Sequence, residues 1–238
     1  MLKTVLFDLD GTLVPFDQKE FVKVYFGGLS RRLAMHGYDP EKLTEGIWSG
    51  VREMVKNDGS RLNEEIWWEA FVKIFGEQAL ADKPYFEEFY IKDFDAVKIV
   101  SKSNPRAKET VDKLHACGIR TVLATNPVFP AIATEKRMGW AGLAPDDFEL
   151  YTTYENSHFC KPNLEYYKEI LAKIDCRAED CLMVGNDVEE DMVAKELGIK
   201  VFLLKDCLIN SKEKDISEYP QGSFDELWEY IEALLKNS

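Results

Sequence analysis

Two patterns of apolar positions divide the chain. Between residues 15 and 98, apolar side chains recur at every third or fourth position, as in the stripe Phe21, Tyr25 and Leu29. This period is typical of amphipathic helices, and breaks such as residues 27–28 and 57–60 separate successive helical stretches. The pattern predicts four or five helices packed as a small bundle.

The rest of the chain alternates short apolar runs with helical stretches. Strands that alternate with helices indicate right-handed crossovers and a parallel sheet. The sequence therefore predicts an α/β fold, with a Rossmann-like core of residues 1–14 and 99–238 and a helical insertion of residues 15–98. The predicted strands are residues 4–7, 119–124, 148–153, 181–184 and 200–204, and the predicted core helices are 104–118, 163–174 and 224–235.

The bulk composition narrows the classes of function. The length of 238 residues fits one large domain or a core with an appendage, and 45% hydrophobic residues suffice for a packed core. The formal net charge of −13 argues against nucleic acid and anionic membranes as partners. We find no charged-then-apolar leader and no apolar run near the roughly 18 residues of a membrane span. Five cysteines without a Cys-x-x-Cys pair indicate reduced thiols, so we expect a cytoplasmic protein.

The first predicted strand ends in two carboxylates, Asp8 and Asp10, followed by Gly11. Alternation in an extended segment places both on the same side, at the strand end where open α/β sheets bind ligands. Two like charges this close are stabilised by a cation between them, and oxygen ligands favour Mg²⁺. Calcium loops and ordinary turns use the same Asp-x-Asp-Gly pattern, so the tetrapeptide alone leaves both interpretations open.

Three further strand ends carry polar residues, and parallel strands place all of them at one edge. Thr125 and Asn126 follow the second strand, where a hydroxyl, an amide and backbone donors suit a phosphate. Lys161 follows the third strand after a loop. Asp187 and Asp191 follow the fourth strand, with the spacing of one helix face. Each motif alone is common in turns or helix starts, but their ordered occurrence at four strand ends favours one shared site.

In these motifs the chain resembles the haloacid dehalogenase (HAD) superfamily, and within it the phosphoglycolate phosphatase and phosphoglucomutase group. That group carries a helical cap after its first motif, and the resemblance spans essentially the whole chain. The fourth motif departs from the common pattern, because it reads Gly185-Asn186-Asp187 where many relatives have Gly-Asp directly. The matching positions are residues 8–13 for the first motif, Thr125 and Asn126 for the second, Lys161 and Pro162 for the third, and Asp187 with Asp191 for the fourth.

The resemblance implies the roles of the acidic residues. Asp8 attacks phosphorus and forms an aspartyl-phosphate, while Asp10 protonates the leaving oxygen and then activates water. Mg²⁺ is held by Asp8, the backbone carbonyl of Asp10, and Asp187. Asp187 is assigned as a metal ligand because Asp191 then falls at the expected spacing, and Asn186 is the alternative.

The remaining motif residues are implied to serve the substrate or their neighbours. Lys161 offsets the negative charge near Asp8, and Thr125 and Asn126 donate hydrogen bonds to the transferring group. Asp191 acts indirectly, by orienting Lys161 or a water bound to Mg²⁺.

The resemblance therefore implies a Mg²⁺-dependent phosphatase that acts on a small phosphorylated metabolite. A phosphomutase shares all of these residues and stays an alternative, whereas a phosphate-binding protein without turnover has no need of both Asp8 and Asp10. Dehalogenases of the superfamily lack an acid at the Asp10 position, so Asp10 favours phosphate esters over carbon–halogen bonds. Substrate specificity is expected in the cap, residues 15–98, with hinges near residues 15–16 and 98–103.

Overall fold

The computed structural model describes residues 1–236, which form a parallel sheet surrounded by helices. No helix within this range is both long and apolar enough to cross a membrane. The strands are β1 (Thr4–Phe7), β2 (Arg120–Leu123), β3 (Leu150–Tyr151), β4 (Cys181–Gly185), β5 (Lys200–Leu204) and β6 (Gln221–Gly222). The α-helices are α1 (Gln18–Ala34), α2 (Pro40–Val55), α3 (Asn63–Phe75), α4 (Lys83–Lys92), α5 (Pro105–Ala116), α6 (Ala131–Trp140), α7 (Leu164–Lys173) and α8 (Phe224–Lys236).

The sheet has the strand order β3-β2-β1-β4-β5-β6, and every neighbouring pair is parallel. Phe7, the last residue of β1, pairs with Leu123 on one side and with Val184 on the other. The three central strands therefore end level with one another. The chain segments that follow them leave the sheet at the same edge, which is where α/β sheets bind ligands.

The two faces of the sheet contact different helices, and this follows from the alternation along β1. Val5 and Phe7 lie in one apolar cluster with α5 and α8, whereas Leu6 lies in the other with α7. All three side chains are fully buried. A strand that is buried on both faces needs a continuous apolar run, which is what residues 4–7 supply.

Helices α1 to α4, with 3₁₀-helices at Glu77–Asp82 and Phe94–Val100, form a helical block between β1 and α5. The two chain segments that join this helical block to the sheet lie side by side. Phe16 forms an antiparallel bridge with Ser101, and the Lys102 amide donates to the Pro15 carbonyl at 2.9 Å. The helical block therefore enters and leaves at one place, next to the edge where β1 ends.

The structure confirms the predicted α/β fold with a parallel sheet, but it differs from the sequence prediction in four elements. Helix α6, Ala131–Trp140, was not predicted. Strand β6 was missed, because two residues cannot display a period. The third strand is shorter than predicted, Leu150–Tyr151 instead of 148–153. The helical start predicted at Asp187 is wrong, because residues 187–191 form a turn before a short 3₁₀-helix at Met192–Leu197. Side-chain hydrogen bonds of Asp187 and Asp191 to nearby backbone amides replace the helical ones there.

Candidate active site

The segment after β1 carries Asp8 and Asp10 to the sheet edge and turns sharply at Gly11. The Asp8 amide continues the sheet pairing by donating to the Val184 carbonyl at 2.9 Å. Gly11 has a φ of +84°, and a Cβ at this position would lie 2.5 Å from the Asn186 amide nitrogen. Only glycine satisfies both the backbone conformation and this close approach. The turn therefore locks the acidic segment that follows β1 against the segment that follows β4.

Lys161 lies beneath Asp8 and joins it to Asp191. The ammonium group is fully buried and donates to Asp8 Oδ1 at 2.9 Å and to Asp191 Oδ1 at 2.6 Å. Burial lowers the pKa of Lys161, but the two carboxylates raise it by more, so the ammonium stays charged. Burial also raises the pKa of Asp191, and Lys161 opposes that rise. One cation thus orients the two acids and compensates part of their charge.

The loop after β4 is held by its own side chains. The second oxygen of Asp191 accepts from the Asp187 amide at 2.9 Å, and Asp187 Oδ1 accepts from the amides of Glu189 and Glu190 at 2.7 and 2.9 Å. Gly185 is required here as well, because a Cβ on it would lie 2.0 Å from Asp191 Oδ2. Asp187 remains partly exposed toward the cavity and keeps oxygen lone pairs for a further ligand.

Asn186, the alternative metal ligand, is occupied in other ways. Its Oδ1 accepts from the Thr12 hydroxyl at 2.8 Å, and its Nδ2 donates to the Cys207 carbonyl at 2.7 Å. The side chain is buried and links the turn after β1 to the loop after β5. This geometry favours a structural part for Asn186 and leaves Asp187 as the candidate ligand.

Asp10 forms an ion pair that the sequence did not predict. Arg137, in the middle of α6, is fully buried and donates from Nη1 to Asp10 Oδ2. Burial raises the pKa of Asp10, Arg137 lowers it, and the Asp8 charge raises it, with a net shift upward. Asp10 Oδ1 is buried and has no hydrogen-bond partner among the described residues. Nothing in the local sequence around Arg137 marks it, because its proximity to Asp10 depends on how α6 packs.

Thr125 and Asn126 lie beside Asp8 at the end of β2. Thr125 is buried, and its carbonyl accepts from the hydroxyls of Thr152 and Tyr166 at 2.6 and 2.8 Å. Asn126 donates from Nδ2 to Glu190 Oε2 at 3.0 Å, and its own Oδ1 is buried and has no partner within residues 1–236. Burial raises the pKa of Glu190 to about 8. The charge of Lys161 opposes this rise, and the charges of Asp191, Asp187 and Asp8 add to it. Sequence reasoning also missed Glu190, although it stands inside the acidic run 187–191.

These residues surround one end of a cavity of about 300 Å³ between the sheet edge and the helical block. Lys161 is completely buried behind them, in contact with Asp8. The predicted site residues that line the cavity are Asp8, Asp10, Thr125, Asn126, Asp187 and Asp191.

The side-chain atoms at this end that could bind a metal ion are all oxygen atoms. The acidic residues outnumber the two cations that contact them, Lys161 and Arg137. Such a set suits a hard divalent cation. Three acidic side chains do not converge here, however. Within residues 1–236, one group of three His, Cys, Asp or Glu side chains has its ligand atoms within 4.8 Å of one another. It consists of Asp112 and His115 of α5 and Asp147, and none of these lines the cavity. A cation at the sheet edge would therefore combine two carboxylates with a backbone carbonyl.

Comparisons with known proteins agree with this geometry. The sequence profile of the haloacid dehalogenase-like hydrolase family matches residues 2–198, and the chain belongs to this family. It is 28% identical to the glyceraldehyde 3-phosphate phosphatase of Methanocaldococcus jannaschii, over 100% of both chains. It is 27% identical to the ribulose-1,5-bisphosphate 5-phosphatase of Halopiger xanaduensis, over 92% of this chain and 89% of the relative.

Solved structures support the fold. The 2-haloacid dehalogenase of Pseudomonas syringae pv. tomato superposes with a TM-score of 0.64 and 19% identity, covering 98% of this chain and 100% of that structure. A predicted phosphoglycolate phosphatase from Haemophilus somnus gives a TM-score of 0.59 at 17% identity, with 97% and 98% coverage. The predicted HAD membership and the prediction of a phosphoric monoester hydrolase are thus confirmed.

Proposed function

We propose that this chain is a Mg²⁺-dependent phosphatase that hydrolyses a small phosphorylated metabolite through an aspartyl-phosphate on Asp8. The observation that carries the proposal is the pairing at the end of β1. Asp8 is held by the buried Lys161 at 2.9 Å. Asp10 stands two residues away, with one oxygen bound by Arg137 and the other without a partner in the part of the chain that the structure describes. One carboxylate is thus fixed in place, and the other has a free oxygen for proton transfer.

The proposed reaction has two steps. A carboxylate oxygen of Asp8 attacks phosphorus while the bond from phosphorus to the ester oxygen breaks, and Asp10 gives its proton to that departing oxygen. Asp10, now a carboxylate, takes a proton from water, and the water oxygen attacks phosphorus. The bond to Asp8 breaks and inorganic phosphate leaves. The raised pKa of Asp10 suits the first of these roles, because burial favours the protonated form that donates to the departing oxygen.

The other residues bind and orient. Asp8, the Asp10 carbonyl and Asp187 would hold Mg²⁺, which supplies charge neutralisation for Asp8 and the phosphoryl oxygens. Thr125 lies in the cavity wall beside Asp8, where its hydroxyl can donate to a phosphoryl oxygen. Asn126 is proposed to do the same, with its carboxamide held by Glu190. Lys161 keeps Asp8 pointed at the cavity, and Asp191 keeps Lys161 in place.

The helical block is proposed to be the cap, residues 15–98, that covers the sheet edge and contacts the organic part of the substrate. Support comes from the cavity, because its far wall consists of residues from α1 to α4. The paired segments at Phe16 and Ser101 are the proposed hinge.

Phosphate release from a panel of phosphate esters tests this proposal. Wild-type protein with Mg²⁺ should release inorganic phosphate, chelator should abolish release, and Asp8→Asn should lower kcat by about 10³-fold or more. Asp180→Asn is a matched control. Asp180 is also buried and paired with a lysine, Lys3 at 3.0 Å, but it stands before β4 at the opposite end of the strands.

Transfer of the phosphoryl group within the substrate, without phosphate release, would instead identify a phosphomutase. Full activity in chelator-treated protein would contradict the metal requirement. Activity of Asp8→Asn within tenfold of wild type would contradict the role of Asp8.

A further inference from the structure

The cavity at the candidate site has two unlike ends. One end is the acidic sheet edge described above. The other is formed by the helical block, whose contribution to the wall is aromatic and aliphatic apart from Gln18, and includes Phe21, Tyr25, Trp67 and Phe86. A volume of about 300 Å³ is at the lower end of the range for small-molecule sites. The space thus admits a compact organic group beyond the phosphate.

Charge is distributed unevenly in this cavity. Every residue that the helical block contributes to the wall is uncharged, and no Lys, Arg or His of the described chain lines any part of it. The charged residues of the wall are all acidic and all lie at the sheet edge. A second phosphate or a carboxylate on the substrate would meet no cation and would be repelled by these acids.

Hydrogen-bond partners are also scarce at the far end. The hydroxyls of Tyr25 and Tyr90 bond to each other at 2.8 Å, inside the protein. Apart from the Gln18 carboxamide, this wall offers sugar hydroxyls mostly carbon atoms, so they would lose water and gain few partners, which disfavours a polyol. An apolar group would instead be removed from water along with the exposed face of Trp48.

We infer that the substrate is a phosphate monoester with a single charged group, whose organic part is a compact apolar group such as a branched or linear alkyl chain. This inference rests on the proposed phosphatase function and names the substrate class of the same site. It separates this chain from the two relatives above, whose names specify a hydroxylated aldehyde phosphate and a bisphosphate.

A chain-length series tests the inference. Ethyl, butyl and hexyl phosphate have leaving groups of similar basicity, so differences in kcat/KM report how the organic part binds. We expect kcat/KM to rise about fourfold for each methylene added until the cavity is full, from the free energy of burying a methylene. Glyceraldehyde 3-phosphate and ribulose 1,5-bisphosphate should give lower kcat/KM than hexyl phosphate.

A positive charge introduced into the apolar wall gives a second test of the substrate class. Val51→Lys and, separately, Val22→Lys place an ammonium in the cavity wall, and each should lower kcat/KM for hexyl phosphate at least tenfold and so flatten the rise from ethyl to hexyl phosphate. Leu80→Lys is the matched control, because Leu80 lies in the helical block, is 46% exposed and does not line the cavity. Circular dichroism and thermal melts establish that each variant is folded.

Calorimetric binding of ethyl- and hexylphosphonate to wild-type protein with Mg²⁺ separates the two proposals. Tighter binding of hexylphosphonate supports the apolar substrate class even where no ester is hydrolysed. A complete lack of hydrolysis would overturn the phosphatase proposal alone. Phosphate release with no gain from ethyl to hexyl, or with glyceraldehyde 3-phosphate preferred, would overturn the apolar substrate class and leave the phosphatase proposal standing.

Discussion

The sheet edge and the helical block face the same cavity, yet they hold their side chains by different forces. At the sheet edge, directional bonds fix the acidic and amide side chains and the buried lysine. Lys161 bridges Asp8 and Asp191, and Asn186 joins Thr12 to the Cys207 carbonyl. Such bonds depend on the identity of each atom, so a substitution there removes a specific donor, acceptor or charge.

The helical block is held by contact between rings. Trp67 stacks on Phe71 with centroids 4.9 Å apart, and Phe86 meets Phe71 edge-on at 5.3 Å. Ring packing depends on total volume and shape, so aromatic and aliphatic residues can replace one another with modest loss. The comparison teaches that the proposed chemistry depends on side chains of fixed identity, whereas the proposed choice of substrate depends on the shape and polarity of a packed wall.

The largest contrast at the sheet edge is expected between Asp187 and its neighbour Asn186. Asp187→Asn keeps an oxygen for the amides of Glu189 and Glu190 but loses the charge, so affinity for Mg²⁺ should fall by about 10- to 100-fold, in the range seen when groups around a metal are removed. Calorimetric titration with Mg²⁺ measures this effect.

Asn186→Ala should leave Mg²⁺ affinity within a fewfold of wild type and instead lower the free energy of unfolding by about 1–3 kcal/mol, because the Thr12 hydroxyl and the Cys207 carbonyl lose their partner. Urea unfolding measures the loss. If Asn186→Ala weakened Mg²⁺ binding more than Asp187→Asn, the assignment of the fourth motif would be wrong by one residue.

A smaller effect on catalysis is expected from Arg137, which positions Asp10. Arg137→Lys keeps the charge but not the planar group, so Asp10 should be held less well and kcat should fall about tenfold for an alkyl ester. An aryl ester has a better leaving group and depends less on proton donation, so its kcat should fall less. Steady-state kinetics on both esters measures the difference.

Arg120→Lys serves as the control, because Arg120 is partly exposed at the start of β2 and contacts Glu149, away from the cavity. Equal losses for both esters in Arg137→Lys would mean that Arg137 acts on the fold and not on the proton donor.

The same contrast explains how much the sequence could predict. Asp8 and Asp10 follow an apolar run, so a local pattern reveals both the strand and the acids at its end. Strand β1 is buried on both faces, so its continuous apolar run is the clearest strand pattern in the sequence. Strand β6 has two residues and forms because the chain runs alongside β5 there. The Leu203 amide of β5 donates to the Pro220 carbonyl, just before β6.

Residues whose role depends on packing left no local signal. Arg137 reaches Asp10 across 127 positions of sequence, and the period of α6 does not distinguish it from a surface arginine. The cavity wall raises the same difficulty, because apolar residues that line a cavity and those that fill a core share one helical period. The helical block was therefore predicted as a bundle, while its facing side could be read only from the structure.

The smallest expected effect concerns the junction between the two regions. Asn63, the first residue of α3, is fully buried, accepts from Asn57 Nδ2 at 2.9 Å and donates toward the Pro127 and Phe159 carbonyls at 3.4 Å. It attaches the helix that carries Trp67 to loops of the core. Asn63→Ala should therefore lower the free energy of unfolding by about 1–3 kcal/mol.

The same variant should also weaken the dependence of kcat/KM on alkyl chain length, because the aromatic wall is no longer fixed over the sheet edge, while kcat for ethyl phosphate stays within about twofold of wild type. Asn210→Ala is the control, since Asn210 makes its hydrogen bonds to Lys214 in an exposed loop. A loss of stability with an unchanged chain-length dependence would show that the wall keeps its place without this anchor. Other contacts between the helical block and the core, such as that between Phe94 and Trp140 with centroids 5.4 Å apart, would then suffice to hold the wall.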